Sequence, residues 1–142
     1  RNKMEKILGL DLGSRTCGIA MSDALGMLAH GVETYRFSEN AYEKAADYIE
    51  KIINENQIKT VVLGLPKHMN GDLGERAKVS IMFKEMLEKR VTGLDVVLID
   101  ERLTTKVAQD RLIFADVSRK KRKQVIDKMA AVAILQGYLD AQ

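Results

Sequence analysis

From residue 6 to residue 12 the chain reads KILGLDL, an almost unbroken apolar run with a carboxylate set inside its end. A run of this kind predicts a strand buried on both faces. A short turn, GSRT at 13–16, leads into two further apolar stretches, 17–22 and 31–37, which predict a second and a third strand. The apolar period then lengthens to the helical one. Tyr42, Ala45, Ala46, Ile49, Ile52 and Ile53 fall on one stripe, with Asn40 the expected cap and Glu43 three residues on. Residues 59–65 form a short apolar strand stopped by Pro66, the one proline of the chain. After the loop PKHMNGDLG, with Asp72 and Glu75 as a capping pair, a second helix is expected to bury Val79, Met82, Phe83, Met86 and Leu87. Residues 95–99 are a fifth strand. A helix opening at Thr104 then presents Val107, Ala108, Arg111, Leu112 and Ala115, and a last helix starts near Ser118.

In order these elements read βββαβαβα, an α/β chain. Strands joined by short turns pair antiparallel, and strands reached through helices arrive parallel. The economical arrangement is one mixed five-stranded sheet with helices on both faces and the first strand at its centre. Ligands of such sheets sit beyond the strand C-termini where the winding direction changes. Asp11 ends the first strand, so a site is expected there.

A lone carboxylate in a buried strand is costly unless it is paired. Two other acids are placed to meet Asp11. The fifth strand ends VVLIDER, and alternation sends Asp100 and Glu101 to opposite sides of the sheet, one of them toward the site. Asp127 shares its helix face with Ala130, Ala131, Ile134 and Tyr138, an apolar setting in which aspartate is unusual unless Lys123, Lys128 or a backbone amide satisfies it. Three acids at one rim repel each other, and a divalent cation removes that objection. Oxygen donors without a His or Cys partner suit Mg²⁺ or Mn²⁺ rather than zinc, and neither His30 nor His68 has zinc-type spacing. Carboxylates holding Mg²⁺ beside basic residues point to phosphodiester hydrolysis.

Charge sharpens this. The net charge is +3, yet residues 118–128, SRKKRKQVIDK, carry +5 and leave −2 for the rest. Arg119, Lys120, Lys121, Arg122 and Lys123 therefore read either as a polyanion contact or as a solvated helix start. Arg15 and Arg102 flank the acids, where each either reaches a phosphate or supports the rim; Arg102 is equally a partner for Asp100. His68, on the expected rim, reads as a surface-loop residue, with proton transfer or substrate contact as the alternative. Composition excludes other classes. No stretch approaches the length of a membrane span, so no membrane partner is expected. The single cysteine, Cys17, rules out an internal disulfide, reads as a buried inert thiol and suits a reducing, cytoplasmic setting. No aromatic stacking platform is visible among three Phe and four Tyr.

Four segments, LGLDLGSRTCGIAMSD, VVLGLPKHMNG, DERLTT and VIDKMAAVAILQGYL, together resemble the YqgF family of ribonuclease H-like nucleases. The resemblance spans residues 6–139 and implies a ribonuclease H-like fold. It implies one nuclease domain over 4–142, with residues 1–3 set aside as a remnant ahead of Met4. The family is described as Holliday-junction resolvases and as nucleases that mature the 5′ end of pre-16S ribosomal RNA. Carried over by motif, its acidic triad falls on Asp11, Glu101 and Asp127, which are then both metal ligands and catalytic residues. The expected function is metal-dependent cleavage of structured RNA, with four-way DNA junctions as the alternative substrate; a junction would call for a homodimer. Two rivals remain. A phosphotransferase of the actin and sugar-kinase type opens similarly but needs a second such domain. A non-catalytic RNA-binding module would not need the intact acidic set.

Overall fold

The computed structural model of the protein describes residues 5–66, 74–100 and 119–141, with side chains in the last stretch from residue 129 onward. Its elements are β1 (Ile7–Leu12), β2 (Thr16–Ser22), β3 (Ala29–Arg36), α1 (Tyr42–Asn56), β4 (Thr60–Leu65), α2 (Glu75–Arg90), β5 (Asp95–Asp100) and α3 (Arg119–Asp140). The expected helix from Thr104 lies outside the described residues.

The sheet has five strands in the order β3-β2-β1-β4-β5. The meander β1–β2–β3 is antiparallel, while β4 and β5 join parallel. β1 is thus the central strand at which the winding reverses, as its apolar texture implies. On one face Leu8, Leu10 and Leu12 pack with Cys17, Ile19, Val61, Leu63 and Val96 beneath α1 and α2. On the other, Ile7, Ala20 and Val62 pack beneath Ala131, Ile134, Leu135 and Leu139 of α3. Among the described residues no helix is long and apolar enough to cross a membrane.

Local structure departs from expectation at three places. Asn40 does not cap α1: it adopts a left-handed φ of 61°, the N-cap is Ala41, and no side chain caps the helix. Asn40 instead turns a corner. Its N–H donates to the Ser14 carbonyl at 2.8 Å, and its side-chain oxygen accepts from the Tyr42 hydroxyl at 3.2 Å. Asparagine tolerates this conformation because its short polar side chain bonds locally. Helix α2 starts at Glu75 with Gly74 as N-cap, so Glu75 is not the third residue of a capping box; Asp72 lies outside the described residues. The buried stripe of α2 is Ala77, Ser80, Phe83 and Leu87, while Met82 is 39% exposed. Small residues set this rotation by letting the helix sit close to the sheet, and the methionines fall to its margin. The third strand also starts two residues early, at Ala29, where it still pairs with Ser22 of β2, and the Ala29 N–H donates to the Gln136 side chain of α3 at 2.9 Å.

Candidate active site at the end of the central strand

Alternation along β1 puts Ile7, Gly9 and Asp11 on the α3 face and Leu8, Leu10 and Leu12 on the other. The strand interior glycine has a specific use. A Cβ at Gly9 would lie 2.7 Å from the Leu135 Cβ and 3.1 Å from the Ala131 carbonyl, so α3 rests directly on the β1 backbone there. The helix direction follows from Gln136. Its side chain binds Ala29, whose neighbour Ser22 accepts the Ile7 N–H through its hydroxyl at 2.8 Å. Position 136 therefore marks the start of β1, positions 131 and 135 its middle, and α3 runs antiparallel to β1. The earlier turns of α3, from Arg119 to Asp127, head toward the end of β1 where Asp11 sits. Asp127 precedes Ala131 by one helical turn, about 6 Å, close to the two-residue step from Gly9 to Asp11.

Asp11 is half-buried and faces Gly18 of β2 across the antiparallel ladder. On the other flank, Gly64 follows Leu63, the parallel partner of Leu10. Glycine on both neighbouring strands means that neither sets a side chain beside the carboxylate on this face. Its charge is felt locally. The fully buried Cys17 thiol is pushed well above its ordinary range, first by desolvation and then by the negative Asp11. The thiol is therefore protonated, an inert core group as the sequence implies, and no candidate metal ligand.

The same alternation fixes the face of Asp100 on β5. Val96 and Leu98 belong to the α1/α2 side and Ile99 to the α3 side. Asp100 thus falls on the face opposite Asp11. Glu101, Arg102 and His68 lie outside the described residues, and so do the side chains of Asp127 and of Arg119, Lys120, Lys121, Arg122, Lys123 and Lys128. Among the described residues no three His, Cys, Asp or Glu side chains converge. Arg15 projects from the β1–β2 turn and pairs with Glu39 at 3.1 Å, an exposed contact of little energetic weight. Tyr35 stacks on Tyr48 with centroids 4.0 Å apart and lies near Phe37, so these rings are taken up in packing.

Sequence reasoning missed Arg76. Its guanidinium donates to the Leu12 carbonyl at 2.9 Å and to the Tyr42 hydroxyl at 3.2 Å. A signal was available: a cation in the first turn of a helix opposes the macrodipole and needs another reason to be there. The glycines around Asp11 were equally visible, since glycine inside a buried strand marks a close approach.

A family model described as "RuvX: Holliday junction resolvase" matches residues 5–141. The chain belongs to the RuvX family. A relative from Staphylococcus epidermidis (strain RP62A), named "Putative pre-16S rRNA nuclease", is 54% identical over 136 residues, 96% of each chain. One of the same name from Listeria monocytogenes serotype 4b is 55% identical over 135 residues, 95% of this chain and 97% of its own. The fold is that of the RuvC resolvase of Thermus thermophilus in complex with a Holliday junction substrate (TM-score 0.62, 14% identity, 96% and 94% of the two chains). It is likewise that of the fowlpox virus Holliday junction resolvase (TM-score 0.61, 12% identity, 96% and 98% covered). Membership in RuvX agrees with the four sequence segments, and the ribonuclease H-like α/β class with the mixed sheet.

Proposed function

We propose that this chain is a divalent-metal-dependent nuclease that hydrolyses phosphodiester bonds of structured nucleic acid, with the 5′ end of pre-16S ribosomal RNA as its substrate. The observation that carries the reading is Asp11, a half-buried acid at the C-terminal end of the central strand, flanked by Gly18 and Gly64 and approached by the basic end of α3. The curated relatives of like length bear the name of that activity.

The donor chemistry fits a hard cation. Asp11 offers oxygen, Cys17 is protonated on the opposite face, and His30 sits at the far end of the sheet beside Met21. Asp11, Glu101 and Asp127 would hold Mg²⁺ or Mn²⁺. When bound, the cation supplies Lewis-acid neutralisation of charge on the phosphodiester. Family motif and strand alternation together favour Glu101 over Asp100, because Asp100 shares the face of Leu98. The chain's own part is to keep the carboxylates charged and converging. The residues Arg119, Lys120, Lys121, Arg122 and Lys123, at a helix start with its positive dipole end, bind substrate phosphates. Arg15 can exchange its exposed Glu39 contact for a phosphate at small cost, and Arg102 acts beside Glu101.

Cleavage assays on a panel of pre-16S leader RNA, single-stranded RNA, duplex DNA and a four-way DNA junction test this. Mg²⁺-dependent cutting of the leader RNA, abolished by chelator and not restored by zinc, is expected. Cutting of the junction alone, by a stable homodimer, would replace the substrate; full cutting in excess chelator would end the mechanism.

A further inference from the structure

The chain leaves β1 through a turn whose Ser14 and Arg15 carbonyls are claimed by later segments. Phe37 N–H donates to the Arg15 carbonyl at 2.9 Å, Asn40 N–H to Ser14 at 2.8 Å, and the Gly13 N–H closes the turn on Thr16 at 2.7 Å. The Leu12 carbonyl, one residue beyond the acid, has a side-chain partner, Arg76 Nη2 at 2.9 Å. The other arm of the same guanidinium donates to the Tyr42 hydroxyl, which in turn donates to Asn40. One planar group thus joins the end of β1, the start of α1 and the first turn of α2. A guanidinium holds two acceptors in a fixed relation, whereas an ammonium is a point charge on a flexible stem. Charge-assisted bonds of this type are about twice as strong as neutral ones. A cation in the first turn of α2 works against the helix dipole, so its placement serves β1 rather than α2.

We propose that Arg76 is a positioning residue for the Asp11 carboxylate. It acts through the Leu12 carbonyl, one residue beyond Asp11, fixing the end of the strand from which that side chain projects, and it does not touch substrate. The proposal rests on the nuclease reading given above. A loss of about 1 Å in placement of a reacting group costs on the order of a hundredfold in rate, so removing the clamp should fall on turnover rather than on substrate affinity.

The test is kinetic, on the full chain and on a substrate the parent cleaves, with melting temperatures measured alongside. For Arg76→Ala we expect kcat about tenfold to a hundredfold lower with KM within about twofold of the parent, and partial recovery of kcat on adding millimolar guanidinium ion. Arg76→Lys should recover less than half of the lost rate, since one ammonium cannot span both acceptors. Should Arg76→Ala fail to fold, Tyr42→Phe removes one arm of the clamp and should lower kcat severalfold at unchanged KM. An unchanged kcat in these variants, or a loss that only tracks the unfolded fraction and ignores guanidinium, would overturn the positioning role. So would a raised KM at unchanged kcat, which would make Arg76 a direct substrate contact. A parent protein inactive on every substrate would overturn the nuclease reading and this proposal together, an outcome distinct from an active parent with an indifferent Arg76.

Discussion

The two faces of the sheet are built for different work. Beneath α1 and α2 the core is deep: Leu8, Leu10, Ile19, Ile49, Ile53, Leu63, Phe83 and Leu87 are all fully buried. Beneath α3 the layer is shallow, with Ala20, Val62, Ala130 and Ala131 around a few larger residues, and Gly9 bears directly on the helix. Burying a large apolar side chain contributes about 1.5–3 kcal/mol, so among the described residues the first face contributes more of the apolar burial. The second face gives up that gain to bring a helix backbone close to the strand that carries Asp11. With the site as proposed, the deeper core and the reacting centre lie on opposite faces of one sheet.

The sharpest way to break this comparison is to remove one acid from each face. Asp11→Asn should cut turnover by about a thousandfold or more with nucleic-acid binding retained, because charge at the reacting centre is lost while shape is kept. Asp100→Asn, on the opposite face, should leave turnover within a few-fold. Equal losses in cleavage assays would mean that the faces are not divided in this way. Next come packing changes. Phe83→Ala should cost about 3–5 kcal/mol by denaturant unfolding, with turnover per folded molecule unchanged. Gly9→Ala should cost less, about 1–3 kcal/mol, because the added methyl must push α3 off β1. Turnover per folded molecule should nevertheless fall, since that push displaces Asp127 relative to Asp11. The smallest effect concerns binding. Replacing Arg119, Lys120, Lys121, Arg122 and Lys123 by Gln should weaken substrate binding without regard to sequence. It should also flatten the dependence of log affinity on log salt by about one unit for each phosphate no longer neutralised, with little change in kcat at saturation.

Much of this was legible in the sequence, for reasons that differ by element. The stripe of α1 is large and regular, and every residue expected to be buried is buried: Tyr42, Ala45, Ala46, Ile49, Ile52 and Ile53. The strand order follows from loop lengths alone. The face of α2 was legible in part: Phe83 and Leu87 are buried and Val79 and Met86 pack against the core, whereas Met82 is exposed and the small buried residues Ala77 and Ser80 give no apolar signal. Asn40 misled because the residue that best caps a helix is also one that best turns a corner. At the site, Asp11 stands out as a charge in an apolar strand. Arg76 is marked only by its place in the first turn of a helix, and its role is hidden because its partners, Leu12 and Tyr42, are far away in sequence and one of them is a backbone atom. The proposed choice of Glu101 over Asp100 draws on the family motif. Strand alternation leaves the choice open until packing shows which face Ile99 joins.

The central claim is that Asp11 belongs to a cluster of acids that repel one another until a divalent cation binds. Thermal melts of the parent and of Asp11→Asn, each in chelator and across a Mg²⁺ series, address it most directly. The account predicts that Mg²⁺ stabilises the parent in proportion to RT ln(1 + [Mg²⁺]/Kd), about 2.7 kcal/mol at a hundredfold excess over Kd. It predicts that Asp11→Asn in chelator melts as high as the parent or higher, because a repulsive charge has gone, and that this variant no longer responds to Mg²⁺. An Asp11→Asn protein that is markedly less stable in chelator, or that keeps the full Mg²⁺ response, would contradict the account.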